Sequence, residues 1–413
     1  MAEEEESSPL KALRESRCLS QEDVARYVGV DTSTVQRWES GTTRRIRARN
    51  QVKLAECLRV SPEEIDDRIR RPFGGCAREA NLPSAGMLSS RQARTVTAAA
   101  SSTSSNRSGW VTPRRVDRVR AMTAALAAAE NQFGGGTSPG SGAAQLRWAA
   151  RLLDAPASSA VRRGVTEAVG NLASVVAHTA FDRGDHEAAD EYFGLALDCA
   201  DKAPSWELRA NTLAEMARKA IYLQDEDHAL TLIELALVRS DRLTATARAM
   251  LHTVRAGLLA RAGRHPEALD EVAQSDAFFA ERDTSADPPW LHYYDAAEHA
   301  GSTGKALIPI ALATADPDPS IERLTTAVRS HTENYPRSRA FSQIRLSRLL
   351  FATGHPVEAL APGVAAVDDA ATIRSIRIAH ELTALARAAQ PHRNDDARQL
   401  CQAIAAITAE ATA

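Results

Sequence analysis

Apolar residues along this chain recur mostly at three- and four-residue spacings, the period of helices that bury one face, and the pattern predicts an all-α protein. The tightest instance is residues 21–40, QEDVARYVGVDTSTVQRWES. Val24, Ala25 and Val28 fall on one helical face, Ser20 stands in the N-cap position, and Asp23 three residues on is its capping-box partner. Gly29 interrupts the pattern where a tight turn needs positive φ. Asp31 is placed to cap a second helix whose apolar side is Val35 and Trp38. Leu10, Leu13, Leu19, Leu54, Ala55, Leu58, Val60 and Ile65 supply the apolar faces of buttressing helices. Ser61-Pro62 opens the last of five short helices expected over residues 8–70.

From about 72 to 112 the composition shifts to Ser, Ala, Thr, Gly and Arg, with too few apolar residues to bury a core, and this stretch reads as a flexible linker. A helical pattern resumes near Arg114 and stops at Gly134-Gly135-Gly136, read as an ordinary helix-helix loop. From there to the end the helical segments repeat. Gly184, Ala189, Phe193 and Ala196 are echoed by Gln224, Ala229, Ile233 and Ala236, then by Gly263, Ala268 and Val272. Gly301, Ala306, Ile310 and Ala313 read as a fourth copy, and Gly354, Ala359, Gly363 and Ala366 as a fifth. The alanines are spaced by 40, 39, 38 and 53 residues, the last interval stretched by an insertion read at 313–320. Such a pattern predicts stacked antiparallel helix pairs: glycine serves the turn, the small alanine lets the second helix approach the first, and no pair can bury its apolar face alone. The expected organisation is a head over 8–71, a linker over 72–112 and a helical-repeat domain over 113–413.

In the head, a small residue at 25, a glycine at 29 and apolar residues at 30 and 35 let two helices cross closely, as a DNA-reading helix-turn-helix requires. The run LRESRCLSQEDVARYVGVDTSTVQRWESG resembles the Xre/Cro/C1-type helix-turn-helix in its Ser-Gln start, its Ala and Gly, and its Trp-Glu-x-Gly ending. It departs from that family just afterwards, where Arg44-Arg45-Ile46-Arg47 replaces a frequent proline. Residues 160–390 resemble the tetratricopeptide repeat in their glycine, alanine and aromatic spacing, although the period exceeds that repeat's usual ~34 residues. Head, linker and repeats together resemble a group of actinomycete-type bacterial regulators. The resemblance implies a transcriptional regulator with double-stranded DNA as partner. Its repeats would sense a peptide, small molecule or protein, acting through conformation or self-association as a homodimer. The alternative is a repeat scaffold tethered to DNA by its head.

Charge sharpens this picture. Residues 1–120 carry 22 Lys/Arg against 16 Asp/Glu, whereas residues 121–413 carry 28 against 37, so a basic head region is suited to a polyanion. On the second helix of the head, Thr32, Ser33, Gln36, Arg37 and Ser40 share the face away from Val35 and Trp38. These are types that pair with base edges: Gln with adenine, Arg with guanine, Thr against a thymine methyl. Gln21, at a helix N-terminus, suits a phosphate contact. Arg44, Arg45, Arg47, Arg49 and Lys53 crowd the following loop and helix as phosphate clamps, and between 36 and 53 the only acid is Glu39.

Other chemistry is weaker. The five cysteines are scattered without a Cys-x-x-Cys, which argues against a disulfide framework or structural zinc. His186-Glu187 lacks the second histidine of a metalloprotease helix, and Gly301-Ser-Thr-Gly304-Lys305 lacks the spacing of a phosphate loop. No catalytic group, metal or cofactor is therefore expected. The acidic N-terminus and the absence of a long apolar run point to a cytoplasmic chain with no membrane partner. Trp290, His292, Tyr293 and Asp295 form the densest aromatic and titratable cluster outside the head. They read as the wall of a ligand groove or, more blandly, as a repeat helix with Trp290 and Tyr294 in the core and His299 exposed.

Overall fold

The computed structural model describes residues 9–16, 19–40, 46, 48–58, 60, 65, 110–136, 140–392 and 394–412. Among these the regular structure is helical, without a strand. The chain divides into two compact units, residues 1–84 and 85–413.

The first unit contains α1 (Pro9–Ser16), α2 (Gln21–Val28), α3 (Thr32–Glu39) and α4 (Ala48–Leu58). Its core is the predicted apolar set, with Leu10, Val24, Val35, Trp38, Leu54 and Ile65 all buried. Both halves of the capping box form: Ser20 Oγ accepts the Asp23 N–H at 3.1 Å, and the Asp23 carboxylate accepts the Ser20 N–H at 3.0 Å. Gly29 sits at φ 82°, and its N–H and that of Val30 close onto the Ala25 carbonyl at 2.9 and 3.0 Å. A glycine is required there because a Cβ at positive φ is strained. Asp31 occupies the N-cap position of α3, but its side chain makes no capping hydrogen bond, contrary to expectation. The helix expected to open at Ser61-Pro62 lies outside the described residues except for Ile65, which is helical and fully buried.

The second unit begins with α5 (Pro113–Phe133) and α6 (Ser141–Ala150). Five helix pairs follow: α7/α8 (Ser159–Asp182, His186–Lys202), α9/α10 (Trp206–Tyr222, Glu226–Leu237), α11/α12 (Ala245–Arg261, His265–Ala280), α13/α14 (Ala296–Thr314, Asp318–Ser330) and α15/α16 (Pro336–Ala352, Pro356–Ala370). A last pair, α17/α18 (Ile376–Ala389, Asp395–Thr412), completes the stack. The expected linker over 72–112 lies outside the described residues save 110–112.

The repeat register needs two corrections. The turns joining the first five pairs all contain one residue in the left-handed region: Gly184, Gln224, Gly263, Ala315 and Gly354, at φ 80°, 65°, 75°, 56° and 86°. Gly301 is not a turn residue; it lies inside α13, where a Cβ would come 2.8 Å from Ser342 Oγ. The small residues in true register are Ala189, Ala229, Ala268, Ser320 and Ala359, spaced by 40, 39, 52 and 39 residues. Residues 313–320 are therefore the end of α13, a repeat turn and the start of α14, and the extra length lies earlier, between Ala280 and Ala296, where a 3₁₀ turn spans Pro289–Leu291.

The stack of pairs curls until its ends meet. The Asp182 carboxylate, fully buried at the end of α7, pairs with Arg337 at the start of α15 and accepts hydrogen bonds from Ser375 Oγ at 2.9 Å and Gly135 N–H at 3.0 Å. The glycine loop after α5 docks there too. Arg374 donates its N–H to the Phe133 carbonyl at 2.7 Å, and the Arg374 carbonyl accepts the Gly136 N–H at 3.0 Å. At Gly134, a Cβ would lie 2.5 Å from the Arg374 oxygen, so this loop is a backbone docking surface, not a plain connection.

Candidate functional site

In the first unit, packing decides which side of α3 meets solvent. Val35 and Trp38 are 1% and 4% exposed, anchored against α1, α2 and α4, so Thr32, Ser33, Gln36, Arg37 and Ser40 are all turned outward. Arg37 lies along the helix, its Nε donating to the Ser33 carbonyl at 3.2 Å and its Nη2 to Thr34 Oγ1 at 3.1 Å. Ser40 Oγ donates to the Arg37 carbonyl at 3.3 Å. The structure thus brings five expected base-reading side chains onto one exposed face.

Glu39 does something the sequence did not indicate. It is 5% exposed and accepts from Arg14 Nε at 2.6 Å, Arg14 Nη2 at 3.2 Å and Gln21 Nε2 at 2.7 Å. Arg14 also donates through Nη1 to the Leu19 carbonyl at 2.7 Å. One carboxylate therefore ties the end of α3 to α1 and to the start of α2, in the forked geometry that makes Arg–carboxylate pairs strong. Gln21 spends its side-chain amide on that clamp; its backbone N–H, in the first turn of α2, is the group left to serve an anion. With Glu39 buried, the only acid between 36 and 53 is withdrawn from the surface. Lys53 of α4 donates to the Val28 carbonyl at 3.4 Å. Arg44, Arg45 and Arg47 lie outside the described residues, as does the Arg49 side chain.

The second unit encloses a cavity of about 990 Å³. Its wall comes from α5 and from the first helices of the pairs, including Asn171 of α7, Glu215 of α9, Lys305 of α13, Arg345 of α15 and Glu381 of α17. The α11 helix contributes only Arg261, because the inserted segment lies over it. Trp290, His292 and Tyr293 line the cavity, and the Tyr293 hydroxyl donates to Met250 Sδ at 3.3 Å and accepts from Arg218 Nη1 at 3.2 Å. Burial, with Glu215 and Glu298 nearby, pushes the Tyr293 hydroxyl well above its ordinary value. Asp295 does not join that wall; it caps α13 by accepting the Glu298 N–H at 2.9 Å.

The expectation of an exposed His299 is also wrong. His299 is buried, stacked on Phe279 at 4.0 Å, with Nε2 2.9 Å from the Asp276 carboxylate, while Trp290 is only half-buried. Against its own burial, the hydrogen bonds of His299 and Arg323 hold Asp276 far below the usual carboxylate range.

Among the described residues no group of His, Cys, Asp and Glu is arranged to hold a metal ion, and no helix is long and apolar enough to cross a membrane. Residues 10–65 match the family model described as Helix-turn-helix, of the Xre/Cro/C1 type, and the match stops short of the repeat unit. No curated protein matches the chain. The domain match suggests a sequence-specific DNA-binding regulator, and a regulator in preference to an enzyme.

Proposed function

We propose that this chain regulates transcription by placing α3 in the major groove and tuning that contact through its repeat unit. The observation that carries the reading is the outward face of α3, where five side chains able to address base edges stand opposite a buried Val35 and Trp38, inside a domain matched as a helix-turn-helix. In this reading Gln36 and Arg37 set sequence preference, Thr32, Ser33 and Ser40 support it, and Gln21 contributes a backbone N–H to a phosphate. Arg44, Arg45 and Arg47 clamp phosphates and supply the salt-dependent affinity. The second unit, a tetratricopeptide-like stack, takes an effector in its cavity, and a homodimer would read an inverted repeat.

The test is a genome-wide binding map with purified protein, followed by affinities for the best site and for random duplex at one salt concentration. A defined operator is expected, and Arg37→Ala should weaken it by about five- to a hundred-fold, the ~1–3 kcal/mol of a bidentate base contact, while random duplex is held nearly as before. The Arg44/Arg45 double alanine should weaken both equally and flatten the salt slope. Diffuse binding without an operator would instead favour a DNA-tethered scaffold.

A further inference from the structure

The cavity of the second unit is lined by nine Lys and Arg side chains against four Glu. Most of this excess is already answered. Arg218 pairs with Glu215, Arg348 with Glu381, Arg261 with Glu226, and Arg337 with the buried Asp182. Arg120 lies 3.7 Å from Asp117, and Arg387 is exposed, but two further cations on neighbouring helices are unanswered. Among the described residues no carboxylate oxygen lies within ion-pair distance of Lys305 on α13 or Arg345 on α15, and neither side chain donates a hydrogen bond. Arg345 rests on the Phe341 ring at 5.0 Å, and its Nε is buried without a partner. Arg377 adds a third positive charge, 3.9 Å from an Asp182 that Arg337 already neutralises.

Like charges gathered in a concavity repel, and the surrounding protein magnifies the effect. Burial, then Arg345, push the Lys305 ammonium down to about 7, although the side chain reaches the solvent of the cavity. Arg377 and Arg218 add to this, and Glu381, itself engaged by Arg348, opposes it. A bound anion would offset the mutual repulsion of Lys305, Arg345 and Arg377.

We infer that Lys305 and Arg345 form an anion subsite for a small phosphate-bearing molecule, whose organic body lies against the Trp290, Tyr293 and Tyr335 portion of the same cavity. A guanidinium fork beside a compact ammonium, backed by a third cation, matches the charge and the several acceptor oxygens of a phosphate better than a single carboxylate. The room, about 990 Å³, exceeds what free phosphate fills. The inference rests on the proposed role of the cavity as the effector site, and it names the chemistry of that effector.

The experiment uses the full chain and calorimetric titration at constant ionic strength, with inorganic phosphate, pyrophosphate and citrate as probes. Pyrophosphate should bind more tightly than phosphate or citrate, and Lys305→Met and Arg345→Met should each weaken it at least ten-fold. Because each variant removes an unpaired charge from a repelling set, neither should lower the melting temperature, which separates loss of the site from loss of the fold. Pyrophosphate affinity unchanged in both variants would locate binding elsewhere, including the basic head, and overturn the subsite. Citrate binding as tight as pyrophosphate would overturn the phosphate assignment. Nucleotide and sugar-phosphate probes then distinguish a phosphorylated organic ligand, expected to bind more tightly than pyrophosphate, from a site for the free anion, which overturns the placement of an organic body. Operator affinity measured with and without saturating pyrophosphate is a separate reading. If the probe binds through Lys305 and Arg345 but leaves operator affinity unmoved, the subsite stands and its role as effector site falls.

Discussion

Replacing Glu39 with alanine should disarm the head without touching its DNA-facing surface. In the parent, Glu39 and Arg14 are each less than a tenth exposed, and the pair is held by two hydrogen bonds, with Gln21 adding a third. Deleting the carboxylate removes two hydrogen bonds and the opposite charge from the buried Arg14 guanidinium, and breaking a buried ion pair this way costs about 3–5 kcal/mol. A folded unit of this size is stabilised by roughly 3–9 kcal/mol at ~0.05–0.15 kcal/mol per residue. The loss is therefore comparable to the whole stability of the head. Hydrogen exchange followed by mass spectrometry on the intact chain reads this directly. Amides of α2 and α3 should exchange at least a hundred-fold faster in Glu39→Ala, while those of α7 to α17 stay as slow as in the parent. Operator and random-duplex binding should fall together, unlike the selective loss expected for Arg37→Ala. Combining Arg14→Met with Glu39→Met should recover much of the protection, because replacing both members of a buried ion pair by apolar side chains avoids the desolvation cost of a broken one. If Glu39→Ala leaves exchange in α2 and α3 within about five-fold of the parent, the clamp does not hold the head together and the reasoning fails.

Two further outcomes follow from buried charges in the repeat unit. Against burial, which alone would raise it, the Arg337 charge holds the Asp182 carboxyl at about 2, helped by Arg377, His178 and the Gly135 N–H. A folded-state value below the unfolded one means stability that is full above about pH 4 and is lost as pH falls toward 2, amounting to about 2–3 kcal/mol. Urea melts across that range should show the loss in the parent and not in Asp182→Asn, which should be less stable at pH 7. Glu207 runs the other way: burial, opposed by the Thr244 N–H, raises its carboxyl to about 7, and one of its oxygens is buried without a partner. The folded state then holds a proton that the unfolded state releases near pH 4.5, so stability should decline as pH rises from 4.5 to 7 and level off above. We expect about 1 kcal/mol for this half-buried group, and Glu207→Gln, melted at pH 5 and pH 8, should abolish the difference.

Much of this architecture was legible where one residue type has one physical use. Ser20 with Asp23 and Gly29 between two apolar faces specified the turn and its flanking helices, because capping and positive φ are local demands. The repeat register failed at one copy for the same reason. Ala315 holds a left-handed turn without the glycine that would announce it, whereas Gly301 and Gly304 are helix-interior glycines that let Ser342 and Leu324 approach. Sequence spacing cannot separate a glycine needed for φ from one needed for room. The aromatic segment at 290–293 was singled out, yet its place on the cavity wall follows from an insertion misassigned to 313–320. Nothing in the local pattern marks Glu39 for burial, and Lys305 and Arg345 resemble the solvated charges of any amphipathic helix. Their roles arise from contacts between helices far apart in the chain, which no local pattern records.

The meeting of Asp182 with Ser375, across 193 residues of sequence, has a consequence for how the protein is made. An open stack of repeats can be assembled from one end, each pair settling on the one before it as the chain leaves the ribosome. Here the partners of Asp182 are synthesised late. Until the start of α15 and the residue ahead of α17 have emerged, a carboxylate that will be fully buried must stay hydrated, and the seam that includes the Phe133–Arg374 contact stays open. Closing so long a loop adds entropic cost to a step that local helix formation does not face, and folding slows as such distant contacts come to dominate. The cavity wall contributed by α17 arrives last, so chains truncated before Ser375 should retain helices but hold no finished pocket.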